Sequence, residues 1–90
     1  MISEQQINII INTLKPFKPS KIGALNIEDK DKIIVLFSFN TKPNLFTLGG
    51  LQYDLEEKLN KKVSLGDFEL IYPIFKKGIL EEAQIILETK

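Results

Sequence analysis

The sequence predicts an α+β fold, a single small domain in which a mixed β-sheet of three to four strands packs against helices. Three observations indicate this fold. Apolar residues recur at helical spacing near the N-terminus, two β-prone runs flank a short charged turn, and a leucine-rich helix leads into a third β-prone run. Ninety residues suffice for one core of two packed layers, so we expect residues 1–90 to form one domain.

The first predicted element is a helix from Ser3 to Leu14. Four apolar residues recur there at helical spacing: Ile7, Ile10, Ile11 and Leu14. Ser3 and Gln6 have the form of a capping box, in which each side chain binds the backbone of the other residue. Pro16 and Pro19 end the helix, because proline lacks the amide donor and disfavours helical conformation in the residue before it.

Two β-prone runs follow, and we interpret them as adjacent antiparallel strands. They cover Lys21 to Ile27 and Lys32 to Phe39, and the charged residues 28–31 between them suit a hairpin turn. The second run is almost continuously apolar, which is typical of a central strand covered on both faces.

A second helix is predicted from leucines whose spacing places them on one side: Leu45, Leu48, Leu51, Leu55 and Leu59. Gly49 and Gly50 interrupt this pattern, and each costs about 1 kcal/mol relative to alanine in a helix interior. The pair therefore marks close approach to another backbone, or the helix begins near Leu51. A third strand from Lys62 to Asp67 comes next.

The C-terminal region predicts one more helix and leaves one segment undecided. Pro73 is placed to open the helix. Its apolar residues are Ile74, Phe75, Ile79 and Leu80. The closing AQIILE, residues 83–88, extends this helix or forms a short edge strand, and periodicity does not distinguish the two.

Composition excludes several kinds of chemistry. The chain is 43% hydrophobic and 27% charged, as in ordinary soluble proteins, and no apolar run approaches the roughly 18 residues of a membrane helix. The N-terminal residues show no secretory signal, so we expect a cytoplasmic protein without membrane contact. The absence of cysteine and histidine removes thiol nucleophiles, imidazole bases and nearly all zinc sites. All twelve basic residues are lysine and the net charge is zero, so nucleic acid is not the expected partner.

Three segments of the sequence, together with the predicted order of helices and strands, resemble the minimal nucleotidyltransferase domain. This domain is a small bacterial relative of the DNA polymerase beta catalytic core. PSKIG (19–23) is similar to the strand that leads into the family's Gly-Ser loop. VLFSFNTKPNLFTL (35–48) matches its strand, proline-containing loop and the start of its helix. LEEKLNKKVSL (55–65), with KKGILEEA (76–83) behind it, extends the resemblance over nearly the whole chain.

The resemblance implies a metal site that this chain has lost. In the family, a Gly-Ser loop with an arginine holds the nucleotide phosphates and three aspartates bind Mg²⁺. No such loop follows Gly23 here, and Lys32, Ile34 and Ser64 stand at the three aspartate positions. We therefore expect an inactive member without a cofactor. Lys32 could still attract a phosphate, but it cannot bridge phosphate oxygens as Mg²⁺ does.

An alternative hypothesis retains an enzyme that uses Mg²⁺ and ATP. Asp29 and Asp31 are two residues apart in the charged turn and could form a metal pair, together with Glu28 or Glu69. Asp31 has the opposite strand parity to the aligned positions, so its use requires a one-residue slip that turns the apolar run inside out. We favour a solvated hairpin turn.

The resemblance also implies a protein-binding role. Members of this family commonly form two-protein modules with a small helical partner of the HEPN class and act as the antitoxin-like component. A member without the metal site is expected to keep that role. An exposed cluster of Phe68, Tyr72 and Phe75 would make a protein-binding patch, although all three also suit core or rim positions. A third hypothesis is homodimerisation for a structural or regulatory role, which the small core and the apolar C-terminal segment support.

Overall fold

The computed structural model describes residues 2–27, 30–41, 43–68 and 82–89, which form a four-stranded mixed sheet and two helices. The elements are α1 (Glu4–Leu14), β1 (Pro19–Ile27), β2 (Lys32–Phe39), α2 (Leu45–Leu59), β3 (Lys62–Asp67) and β4 (Gln84–Glu88). This architecture confirms the predicted α+β fold. Neither of these helices is long and apolar enough to cross a membrane.

Helix α1 begins at the predicted capping box. Ser3 Oγ accepts a hydrogen bond from the Gln6 amide at 3.1 Å, and Gln6 Oε1 accepts one from the Ser3 amide at 3.0 Å. A short 3₁₀ turn at Lys15–Phe17 follows, and Lys18 adopts a left-handed conformation with φ 54°. Strand β1 then begins at Pro19, two residues before the predicted start, because a proline is tolerated at the first position of a strand.

The strand order is β3-β2-β1-β4, so β1 and β2 are the central strands. β1 is antiparallel to both β2 and β4, whereas β2 is parallel to β3 and is joined to it through the crossover helix α2. The undecided segment AQIILE supplies the edge strand β4, in which Leu87 pairs with Ile22. The helix predicted to open at Pro73 lies outside the described residues.

The hydrophobic core lies between the two helices and one face of the sheet. The helices contribute buried residues that include Ile10, Leu14, Leu51 and Leu55. The sheet contributes alternate residues of its three adjoining strands: Ile22, Ala24, Ile33, Val35 and Val63. Because side chains alternate across a strand, the intervening residues face the opposite side of the sheet, which we call the second face.

Helix α2 contains the glycine pair, so of the two alternatives offered by the sequence, a helix that begins near Leu51 is wrong. The helix begins at Leu45, and the Asn44 side-chain oxygen caps it by accepting a hydrogen bond from the Thr47 amide at 2.8 Å. A Cβ atom placed at Gly49 or Gly50 would have no heavy atom within 4 Å beyond the helix's own neighbouring atoms. The described part of the chain therefore does not explain these glycines by close backbone approach.

Candidate functional site

The three positions that the sequence resemblance assigns to the family's aspartates lie together on the second face of the sheet. In the parallel register, Ile34 on β2 is the Cα partner of Ser64 on β3. Lys32 lies two residues before Ile34, which places it on the same face, and its partner is Lys62. Side chains at these three positions therefore share one surface.

The chemistry of this surface does not suit a divalent cation. An ammonium group, an alkyl group and a hydroxyl group occupy the three half-buried positions, whereas Mg²⁺ prefers carboxylate oxygens. The neighbours are apolar, since Leu25 pairs with Ile34 and Leu36 is 1% exposed. Among residues 2–27, 30–41, 43–68 and 82–89, no three acidic, histidine or cysteine side chains are grouped so that they could hold a metal ion.

Asp31, the described member of the alternative metal pair, is bound to a lysine. Lys61 Nζ lies 2.6 Å from Asp31 Oδ1, and the aspartate side chain is 76% exposed. Asp31 ends the turn in a left-handed conformation with φ 50°. Asp29, Glu28 and Glu69 lie outside the described residues. The Asp31 carboxylate therefore has an ammonium partner where the enzyme hypothesis requires a metal.

The connection between β1 and β2 lies where the sequence resemblance implies a phosphate loop. β1 continues to Ile27, which pairs with Lys32, so four residues complete the hairpin and the one-residue slip does not occur. Gly23 lies within β1 instead of in a loop. A Cβ atom there would be 3.0 Å from Phe68 Cζ and 3.4 Å from Ile85 Cδ1. This glycine makes room for an aromatic ring.

Phe68 is buried, which corrects its assignment to an exposed aromatic patch. Its side chain is 7% exposed, and its ring lies over Gly23 on the second face. Lys21 Nζ lies 4.8 Å from the ring centroid, a cation–π distance. Burial agrees with the core or rim position that the sequence also allowed. Tyr72 and Phe75 lie outside the described residues.

The most exposed apolar side chains lie on α2, a surface that the sequence analysis missed. Phe46 is 93% exposed, Leu45 82% and Tyr53 62%. The two exposed glycines lie between the aromatic residues, and the buried side of the helix is opposite, at Leu51, Leu55 and Leu59. The signal in the sequence was the spacing of Phe46 and Tyr53, because seven residues are two helical turns and place both rings opposite the leucines.

The C-terminal half of this exposed side is acidic. Asp54 and Glu57 are exposed beside Tyr53, and the half-buried Glu56 accepts a hydrogen bond from the Val63 amide at 3.0 Å. A hydrogen bond with Glu57, together with smaller effects of desolvation and the Asp54 charge, raises the pKa of Tyr53 above its ordinary value of 10.0. The one lysine of α2, Lys58, lies four residues after Asp54, so the three acids Asp54, Glu56 and Glu57 leave this end of the helix with a net negative charge.

Comparison with known sequences finds one curated relative at a significant level of similarity. It is a protein of Methanocaldococcus jannaschii whose name assigns it provisionally to the protein adenylyltransferases. The two are 35% identical over 60 residues, which is 67% of this chain and 64% of the relative, so the chain spans less than two thirds of the relative's length. No protein-family model matches the chain.

Comparison with solved structures finds the same fold. The MntA–HepT toxin–antitoxin complex matches with a TM-score of 0.80 and 16% identity over 97% of this chain and 74% of the matched chain. A Shewanella oneidensis complex of a tri-AMPylated HEPN toxin with an MNT antitoxin matches with a TM-score of 0.74 and 18% identity, over 96% of this chain and 72% of the matched chain. These matches confirm the resemblance stated from the sequence: the chain has the minimal nucleotidyltransferase fold.

Proposed function

We propose that this chain is a catalytically inactive nucleotidyltransferase-like protein. It acts in the cytoplasm, as one domain over residues 1–90, and is the antitoxin-like component of a module with a small helical HEPN-type partner. The observation that carries the proposal is the pairing of Ile34 with Ser64, beside Lys32, on the face where the family's carboxylates would converge. Phosphoryl transfer depends on metal ions that neutralise developing charge, and these three side chains offer no carboxylate to hold them.

The partner part of the proposal is supported by the fold. The MntA–HepT complex and the S. oneidensis complex each pair a chain of this fold with a HEPN-type or HepT protein. Binding between proteins needs a surface and no metal, so this role can persist when the metal site is lost.

Calorimetric titration with Mg²⁺ and ATP tests inactivity. We expect neither ligand to increase the affinity for the other in the full chain. Asp31→Ala is the informative variant, because an exposed ion pair contributes at most about 1 kcal/mol and its loss leaves the fold intact. Metal-dependent ATP binding that this variant abolishes would support the enzyme alternative and contradict the proposal.

Co-expression with the product of the neighbouring gene, which the proposal expects to be a HEPN-type protein, tests the partner. We expect a stable complex by size-exclusion chromatography with light scattering, and better growth of cells that express the partner together with this chain than of cells that express the partner alone. A chain that forms only dimers of itself, with no complex, would favour the homodimer hypothesis.

A further inference from the structure

We propose that the exposed side of α2 is the surface on which a helix of the HEPN-type partner docks. We call this surface the α2 stripe and define it by Phe46, Gly49, Gly50 and Tyr53. The partner helix presents an aliphatic side chain to the glycine pair and basic side chains to the acidic end of the stripe. The inference rests on the proposed function and names the surface that serves it.

The α2 stripe has the shape of a notch. Phe46 and Tyr53 are separated by two helical turns, about 10 Å along the axis, and the glycine pair lies on the turn between them. Both rings are exposed and both glycines lack a side chain, so a side chain of a second helix fits between the rings. Helices approach most closely where the residues at the contact are small.

The glycine pair has no explanation within the described fold. At Gly66 an added Cβ atom would lie 2.9 Å from Leu36 Cδ2, so packing inside the chain accounts for that glycine. At Gly49 and Gly50 no heavy atom of the described residues, apart from the adjacent helix backbone, lies within 4 Å of an added Cβ atom, and neither glycine has a positive φ that would favour glycine. Glycine is a poor residue for a helix interior, second only to proline. Close approach of another molecule gives the pair a physical reason.

The apolar surface continues beyond the stripe. Leu45 and Gly49 line a groove of about 360 Å³ whose opposite wall includes Phe37 and Leu65, at the C-terminal ends of β2 and β3. The stripe and this groove share Gly49, so one partner helix can contact both. Contiguous exposed apolar surface of this kind marks interaction sites in soluble proteins.

Charge favours a different protein over a second copy of this chain as the occupant. Asp54 and Glu57 flank Tyr53, and the three acids Asp54, Glu56 and Glu57 outnumber Lys58, the one lysine of α2. Two copies that packed stripe against stripe would therefore each bring a helix end of net negative charge into the interface, with no excess of cations to balance it. A partner helix with lysine or arginine at the matching position would supply complementary charge.

The test uses the full chain and the purified product of the neighbouring gene, which the proposed function expects to be a HEPN-type protein. Gly50→Gln fills the notch with a long side chain that favours helix, and Phe46→Ser removes one ring. Asn8→Gln is the matched control on the exposed side of α1, and Ile85→Ser, at a side chain that is 42% exposed, is the control for an apolar residue elsewhere. Affinity is measured by calorimetry and the fold by far-ultraviolet circular dichroism.

We expect Phe46→Ser to weaken binding roughly 10- to 100-fold, as loss of one buried aromatic side chain implies. Gly50→Gln should raise the thermal midpoint of the chain and yet weaken binding at least about tenfold, a combination that a purely structural role does not produce. Both controls should bind within about twofold of the natural chain, within the usual effect of a remote surface change.

Three results would overturn the docking surface. If Phe46→Ser and Gly50→Gln both bind the partner as tightly as the natural chain does, the docking surface is wrong and the proposed function is unaffected. Failure of the unaltered chain to bind the HEPN-type protein would overturn both proposals together. A dimer of this chain in sedimentation that Phe46→Ser dissociates would assign the stripe to a second copy.

Discussion

Replacing Gly49 and Gly50 together by alanine is expected to stabilise the isolated chain by about 2 kcal/mol. Alanine is favoured over glycine by about 1 kcal/mol per site in a helix interior, and α2 extends at least four residues on either side of the pair. Among the described residues, neither new methyl group would meet a heavy atom within 4 Å beyond the helix itself, and neither glycine has a positive φ. Almost all of the free energy by which alanine is favoured over glycine in a helix should therefore appear as added stability.

The expected stabilisation corresponds to a rise in the thermal midpoint of roughly 8 to 16 °C, because each kcal/mol shifts a domain of this size by about 4 to 8 °C. Thermal unfolding followed by circular dichroism measures this shift directly. Urea unfolding should give a higher midpoint with an unchanged slope, as expected when stability changes without a change in the surface exposed.

Gly23→Ala is the matched substitution with the opposite expected sign. Its Cβ atom would lie 3.0 Å from Phe68 Cζ, and the Phe68 ring is 7% exposed and has little room to move. We expect a loss of about 1 to 3 kcal/mol, the usual effect of overpacking. A neutral Gly23→Ala, or a glycine-pair variant that melts below the natural chain, would refute this reading of the two environments.

Three further predictions test the N-cap of α1, the hydrophobic core, and Tyr53 on α2. Ser3→Ala should lower the free energy of unfolding by about 1 kcal/mol through loss of the capping box, measured by urea unfolding. Leu55→Ala should lower it by about 2 to 5 kcal/mol, because Leu55 is fully buried. Glu57→Gln should lower the pKa of Tyr53, followed by ultraviolet titration in a Tyr72→Phe background. The raised pKa favours the neutral phenol in the folded chain, so this contribution to stability is present below pH 10.0 and lost as the pH rises through the folded pKa.

Local signals in the sequence predicted most of the elements. The predicted bounds of β2 and β3 agree with the structure because the β-prone runs end there at turn residues. The predicted start of α1 agrees because Ser3 and Gln6 form a capping box that can be recognised in the sequence. The strand β4 could not be assigned from its own residues. Its conformation follows from backbone pairing with β1, more than sixty residues earlier in the chain.

The candidate site was predictable only where it depends on residues close together in the sequence. Strand parity already placed Lys32 and Ile34 on one face, whereas the pairing of Ile34 with Ser64 required the register of β2 against β3. The ion pair of Asp31 with Lys61 joins residues thirty positions apart, and no periodicity reports such a contact. The exposed side of α2 was not predicted, because the leucine spacing identifies only the side of the helix that is buried.

The lysines at the start of β2 and β3 constrain any attempt to engineer catalysis into this scaffold. Lys32 and Lys62 are adjacent across the parallel strands and lie two residues before Ile34 and Ser64. A single aspartate introduced at Ile34 would meet these ammonium groups first and form an ion pair, which competes with metal for the carboxylate. The lysines would therefore have to be replaced by uncharged residues before the acids are introduced. In the opposite order, each new carboxylate would bind a lysine instead of a metal ion.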